Sequence, residues 1–99
     1  MRIDVTGRHF EVTDAIRTYA EAKGEKLPKY YNGVQEIEFV LEELPHAEFQ
    51  SEIRVDVVKH STFVASAKGE DVYACIDQST EKMARQLTDF KQKLKDNRG

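Results

Sequence analysis

The sequence predicts an α+β fold, a two-layer sandwich in which a four-stranded sheet carries both helices on one face. Three observations predict it. The 99 residues suffice for one domain with one core. Four segments alternate apolar and polar side chains with a period of two, as half-buried strands do, and two segments repeat apolar side chains at helical spacing. Their order is β-α-β-β-β-α, so two amphipathic helices can cover the apolar face of the sheet.

The first strand and the first helix occupy the N-terminal third of the chain. Residues 2–6 alternate in polarity, and Gly7 is expected to end this strand. Thr13 suits the N-cap of a helix, and apolar residues recur after it at helical spacing. Because Pro28 cannot continue a helix, the helix is expected to run to about residue 27. Gly24 falls inside it and is expected to weaken it by about 1 kcal/mol relative to alanine.

Three more strands follow, two predicted at residues 34–43 and 48–58 and a third that contains Phe63, Ala65 and Ala67 on one face and is closed by Gly69. Each places apolar side chains on one face, although Ser51 interrupts the apolar side of the middle one. The opposite face carries mostly glutamates and is expected to stay in water, as antiparallel sheets allow.

The last helix is expected to begin after a cap at Glu70 or Asp71. Six apolar residues between Val72 and Leu94 then form a stripe less than half the circumference wide, which is typical of a helix that faces a core. The tail from about residue 96 is expected to be disordered.

Composition narrows the functional classes. One cysteine cannot form an internal disulfide, and we find neither a signal peptide nor an apolar run long enough to cross a membrane, so the expected location is the cytoplasm and no membrane partner is expected. The five glycines are scattered and form no phosphate-binding loop. One cysteine and three distant histidines do not supply a zinc site.

No active site is visible in the sequence. His9, His46 and His60 fall in predicted turns without a positioned partner. Cys75 lies near the start of the last helix, where a thiol can be activated, but a small buried residue is the commoner explanation. We therefore expect no catalytic residue, no cofactor, no metal and no small-molecule substrate.

Charge is segregated along the chain. From Glu36 to Asp56 there are seven acidic residues and one basic residue, whereas from Lys82 to Arg98 there are six basic residues and two acidic ones. With both helices on one side of the sheet, the molecule would have a basic helical side and an acidic open side. Such a basic stripe is typical of a phosphate-backbone binder. It is also what lysines produce when they complement helix dipoles and keep a surface soluble, and charge alone favours this second interpretation.

Two tyrosines follow the first helix, next to Lys26 and Lys29. If one of Tyr30 and Tyr31 is exposed, it can stack on an unpaired base. Core packing of at least one ring is the stronger interpretation.

The opening residues, Ile3-Asp4-Val5-Thr6-Gly7-Arg8-His9-Phe10-Glu11-Val12-Thr13-Asp14-Ala15-Ile16-Arg17, resemble the start of the ribosome hibernation-promoting factors, also called ribosome-associated inhibitors or sigma-54 modulation proteins. The segment from Gly69 to Asp77 resembles that family's entry into its last helix, and the segment from Lys82 to Leu87 resembles its continuation. The likeness extends over nearly the whole chain.

The resemblance implies a non-enzymatic translation inhibitor, active in stationary phase or under stress, and a fold like that of a double-stranded-RNA-binding domain with an extra N-terminal strand. Such a factor binds ribosomal RNA of the small subunit, between head and body, where messenger and transfer RNA would sit. The chain looks like the short form, without the dimerisation domain of longer members. The basic residues that match the family's, each implied to be an RNA-facing phosphate contact, are Arg8, Arg17, Lys23, Lys26, Lys29, Lys82, Arg85, Lys91 and Lys93.

One alternative function remains from the residues themselves. A protein-interaction module could use the acidic sheet face, or it could add a strand to an exposed edge of the sheet. An enzyme built on this scaffold is a third class, but no residue cluster supports it.

Overall fold

A computed structural model describes residues 1–96, and the side chains of residues 1–95. The tail expected to be disordered from about residue 96 lies outside the described residues. The elements follow the predicted order: β1 (Arg2–Arg8), α1 (Asp14–Gly24), a short 3-10 helix (Leu27–Lys29), β2 (Val34–Leu44), β3 (Glu48–Val57), β4 (Phe63–Gly69) and α2 (Val72–Asp96).

The four strands form one sheet in the order β1-β2-β3-β4. β2, β3 and β4 pair antiparallel, as expected, but β1 pairs with β2 in parallel, so the sheet is mixed. This difference follows from α1, because a helix between two neighbouring strands returns the chain to the starting edge and makes them run in the same direction. One row of the register joins Val5, Phe39, Ile53 and Ala65 across the sheet.

Both helices cover the same face of the sheet, which confirms the predicted two-layer sandwich. The core between the layers consists of apolar side chains from all four strands and both helices. Its largest fully buried side chains are Phe39, Leu27, Ile37, Leu41, Ile53, Ile76, Met83, Leu87 and Val55. The other face of the sheet is open to solvent.

Two boundaries at the N-terminal end differ from the predictions. Gly7 lies inside β1, which continues to Arg8. The chain doubles back there so closely that a Cβ on Gly7 would collide with the carbonyl oxygen of Phe10. α1 ends at Gly24, where a Cβ would lie 3.2 Å from the Phe39 ring. Gly24 is therefore the last residue of the helix and does not weaken its interior. Its missing side chain lets the Phe39 ring pack close to the helix backbone.

The helix N-termini are capped as predicted. The Thr13 hydroxyl accepts a hydrogen bond of 3.2 Å from the backbone N–H of Ile16, and the Asp71 carboxylate accepts one of 3.0 Å from that of Tyr73. Each cap satisfies a backbone donor that the helix itself leaves free. α1 does not continue through Pro28, as predicted, but it ends earlier than expected, at Gly24. Pro28 lies in the first turn of the 3-10 helix, where its missing N–H is not needed.

Ser51, which interrupts the apolar side of β3, is explained by a partner in α2. Its hydroxyl lies 2.9 Å from that of Ser79, and both side chains are fully buried. Ser79 in turn donates to the carbonyl oxygen of Ile76. This polar contact fixes α2 against the sheet within an otherwise apolar core.

Candidate nucleic-acid interface

Eight of the nine predicted contact residues lie on the helical side of the molecule. They belong to α1, to the segment that follows it and to α2: Arg17, Lys23, Lys26, Lys29, Lys82, Arg85, Lys91 and Lys93. The ninth, Arg8, ends β1 on the open face of the sheet, where its guanidinium lies 3.8 Å from the carboxylate of Glu42. The structure therefore does not bring Arg8 together with the others.

The two helices enclose a cleft of about 140 Å³ between the end of α1 and the middle of α2. Lys23 and Lys26 line it from one side, and Asp77 and Glu81 line it from the other. The cleft therefore carries charges of both signs, and its floor is not a continuous basic groove.

Asp77 joins the helices across this cleft. Its carboxylate accepts a hydrogen bond of 2.7 Å from the Tyr19 hydroxyl and lies 3.2 Å from the ammonium group of Lys23. The hydrogen bond and the nearby negative charge raise the pKa of Tyr19, and the same carboxylate raises the pKa of Lys23. Lys23 thus already has an anionic partner within the protein.

Two of the predicted residues bind backbone at the edges of the sheet. Lys82 of α2 donates a hydrogen bond of 2.8 Å to the carbonyl oxygen of Ser66 in β4, beside Gln86, which donates to Val64. Arg17 of α1 donates one of 3.0 Å to the carbonyl oxygen of Val5 in β1. These side chains therefore have a structural role, because they occupy acceptors that an added strand would need.

The remaining five predicted residues are available to an external anion. All are exposed, and none forms an ion pair within residues 1–96: Lys26, Lys29, Arg85, Lys91 and Lys93. Lys29 lies above the ring of Tyr30, 5.2 Å from its centroid. Long basic side chains that are exposed and unpaired are the kind that neutralise phosphates.

The two sides differ in charge, although less than the sequence predicts. In the helical segments 14–29 and 72–95, nine basic residues stand against six acidic ones. The open sheet face carries seven acidic residues and four basic ones, because β1 and β4 add Arg2, Arg8 and Lys68 to the acidic centre of the sheet. The helical side is net basic and the open side net acidic, with both signs present on each.

The tyrosines after α1 are both half-buried, so neither is the exposed ring considered above. Tyr31 packs edge-to-face on Phe90, with ring centroids 5.2 Å apart. Phe90 also contacts His60 and Phe63, and this aromatic group at the C-terminal end of α2 was missed by sequence reasoning. The periodic pattern places Phe63 and Phe90 on core faces, but no local sequence pattern indicates that His60, in the β3–β4 turn, packs against both rings.

No assembled reactive centre is found among residues 1–96. No three potential ligands among His, Cys, Asp and Glu come together to hold a metal ion. Cys75 is buried, its thiol donates to the carbonyl oxygen of Phe49 at 3.5 Å, and burial raises the thiol pKa. A protonated, buried thiol is a structural residue rather than a nucleophile. Within the same residues, no helix has the length and apolar character that a membrane crossing needs.

Comparison with known proteins gives consistent matches. The family model described as "Sigma 54 modulation protein / S30EA ribosomal protein" matches residues 3–95. The chain is 37% identical to the ribosome hibernation promoting factor of Escherichia coli (strain K12), with 96% of this chain and 98% of that protein covered. Its fold matches the N-terminal domain of Thermus thermophilus Protein Y, with a TM-score of 0.80, 30% identity, and 91% and 99% of the two chains covered. It also matches a ribosomal subunit interface protein from Coxiella burnetii, with a TM-score of 0.84, 23% identity, and 93% and 99% covered.

Proposed function

The chain belongs to the Sigma 54 modulation protein / S30EA ribosomal protein family, and from this membership we propose that it is a ribosome hibernation factor that binds the small ribosomal subunit. The observation that carries the proposal is the match of nearly the full chain to a ribosome hibernation promoting factor. The family is one of ribosome-associated factors rather than enzymes, which agrees with the sequence analysis.

The proposed mode of binding is contact between the helical side and ribosomal RNA in the channel between head and body. Occupation of that channel would exclude messenger and transfer RNA and so stop translation during stationary phase or stress. Ribosomes are cytosolic, so the factor would act in the cytoplasm. The five exposed basic residues without an ion pair support this mode. A folded RNA offers a dense surface of phosphates and is recognised mainly through its backbone and shape.

We expect the basic residues implied by the family resemblance to have different roles. Lys26 lines the cleft between the helices, and Arg85 is exposed on α2 next to Ala84, which also lines it. Neither forms an ion pair within residues 1–96, which makes them the strongest candidates for phosphate contacts. Lys23 is neutralised by Asp77, and Lys82 and Arg17 support the sheet edges. We therefore expect the first pair to contribute more to binding than the other three.

Strand addition is less well supported as a function. Two carbonyl oxygens at the free edge of β4 already accept hydrogen bonds from α2, and one at the edge of β1 accepts a bond from Arg17. The open sheet face also carries four basic residues among its seven acidic ones.

The test is co-sedimentation with purified small subunits through a sucrose cushion, over a series of salt concentrations. The double variant Lys26→Glu/Arg85→Glu should dissociate at lower salt than the wild type, because each phosphate contact contributes about one power of the salt concentration to affinity. The matched control is Arg2→Glu/Lys68→Glu, which changes the net charge equally but on the open sheet face.

The control should behave like the wild type. Equal loss in both double variants would show that net charge alone matters and would overturn the assignment of the helical side. A wild-type protein that stays at the top of the gradient at low salt would overturn the proposed function itself.

A further inference from the structure

A pocket of about 510 Å³ lies where the β3–β4 turn, the start of β4 and the end of α2 meet. His60, Phe63, Phe90 and Leu94 form its apolar part. Leu94 is 43% exposed although it belongs to the apolar stripe of α2, because the last turns of this helix have less of the sheet beneath them. The pocket is on the side of α2 away from the cleft described above.

The aromatic rings in this pocket form an ordered stack. His60 is exposed and lies nearly parallel to Phe63, with 4.8 Å between centroids and 21° between planes. Phe90 meets both rings edge-on, at 4.4 Å from His60 and 5.2 Å from Phe63, and Tyr31 supports Phe90 from another side. A flat ring that is held by neighbours and open to solvent is a platform on which another ring can stack.

The polar groups around the platform are those that a nucleotide needs. Lys93 lines the pocket and forms no ion pair within residues 1–96, whereas Lys91 and Lys95 line a separate hollow with Tyr31 and Leu94. The pocket wall also holds Asp89 and Gln86. The Gln86 amide nitrogen donates a hydrogen bond to the carbonyl oxygen of Val64, so the side-chain oxygen of Gln86 remains as an acceptor. Ammonium groups bind phosphate, and these acceptors suit the amino group of a base.

We propose that this pocket binds one unpaired nucleotide of a single-stranded RNA segment, with the base stacked on the exposed ring of His60, which Phe63 supports from its other face, and with a neighbouring phosphate on Lys93. The proposal deepens the proposed function, since ribosomal RNA would supply the segment. The occupant follows from charge complementarity together with the stack. One cation and two polar acceptors beside an exposed flat ring favour a nucleotide over an apolar peptide, which would leave Lys93 and Asp89 without partners.

The first experiment uses the free protein and a single-stranded RNA of about six nucleotides, titrated by NMR and by fluorescence anisotropy. Resonances of His60, Phe63, Phe90 and Leu94 should shift together. The variant His60→Asn should lower the affinity for the RNA at least about fivefold, which is the size of the loss when alanine replaces an aromatic side chain that stacks on one base. His60→Phe, which keeps a flat ring, should restore it.

The matched control is His46→Asn. His46 is an exposed histidine in the β2–β3 turn with a φ of 67°, a conformation that asparagine tolerates, so the replacement removes the same ring without straining the turn. Its affinity should equal that of the wild type. A duplex of the same sequence should leave the pocket resonances unshifted, because its bases are already stacked.

Three outcomes would overturn the proposal: shifts confined to the lysines, equal affinity of His60→Asn and the wild type, or stronger binding of an apolar peptide than of the RNA in the same pocket. The same variants are then measured on small subunits. If the wild type binds the subunit and the oligonucleotide but His60→Asn loses neither, the stacking site is wrong and the function stands. If the wild type binds the oligonucleotide through this pocket but not the subunit, the proposed function is wrong and the stacking site stands.

Discussion

The buried hydroxyl pair between β3 and α2 makes a quantitative prediction about how the helical side is held in place. A hydroxyl carries one proton, and the Ile76 carbonyl oxygen can only accept, so the Ser79 proton points to Ile76 and Ser51 donates to Ser79. The two serines are thus not equivalent, although both are fully buried.

This asymmetry sets the expected free energies. Ser51→Ala removes one hydrogen bond and leaves Ser79 with its own acceptor, which should lower the free energy of unfolding by about 1 kcal/mol. Ser79→Ala leaves the Ser51 hydroxyl buried without a partner and should lower it by about 1–3 kcal/mol. The double variant has neither group, so it should be no less stable than Ser79→Ala alone.

The measurement is urea unfolding of the four proteins in a double-mutant cycle. The coupling between the two serines should be about 1 kcal/mol or more, and Ser79→Ala should lower the midpoint of thermal unfolding by about 4–8 °C for each kcal/mol lost. Ser66→Ala, an exposed serine on the open face of β4, is the control and should add independently to Ser79→Ala. Free energies of Ser51 and Ser79 that add within about 0.5 kcal/mol would refute the proton assignment.

Two further predictions concern contacts that α2 makes with its neighbours. The pKa values of Tyr19 and Lys23 are raised by Asp77, so their contribution to stability is complete below about pH 10 and is lost as the pH rises through the raised values. Thermal unfolding above that pH should therefore lower the midpoint of the wild type more than that of Asp77→Asn, and parallel curves would contradict this. The variant Lys82→Ala/Gln86→Ala frees two carbonyl oxygens at the edge of β4 and should self-associate with rising concentration in light scattering, whereas a purely monomeric variant would show that these side chains do not protect the edge.

The parts of the fold that the sequence predicts well are those in which local pattern and burial coincide. The two long strands, β2 and β3, have regular apolar faces because the core covers them, and α2 has one that is buried as far as Leu87. The end of α1 was missed because Leu27 keeps its place in the apolar series while the backbone tightens into a 3-10 turn, which side-chain spacing does not reveal. The sequence predicts a strand end at Gly7, but a glycine is needed there because the backbone of Phe10 packs against it, a contact that its immediate neighbours in sequence do not reveal.

The charge of the two sides of the molecule was predicted less completely, because residues distant in sequence lie together on the open sheet face. A run of acidic residues in β2 and β3 suggests an acidic face, but the face also includes β1 and β4, whose Arg2, Arg8 and Lys68 come from opposite ends of the sheet. The parallel pairing places Arg8 beside Glu42 and away from the helices. Arg8 and Glu42 are too far apart in the sequence for a local pattern to reveal this ion pair.

If the proposed function is correct, we expect internal pairing, and not position on a helix alone, to decide which basic residues contact RNA. Lys23 lies on the helical side, yet it is held by Asp77, and Lys82 spends a hydrogen bond on the edge of the sheet. A phosphate that engaged either one would first have to break a contact that positions α2. Lys26 and Arg85 carry no such cost. The helical side therefore contains two kinds of basic residue: those that hold the helices to each other and to the sheet, and those that are exposed and free of such contacts.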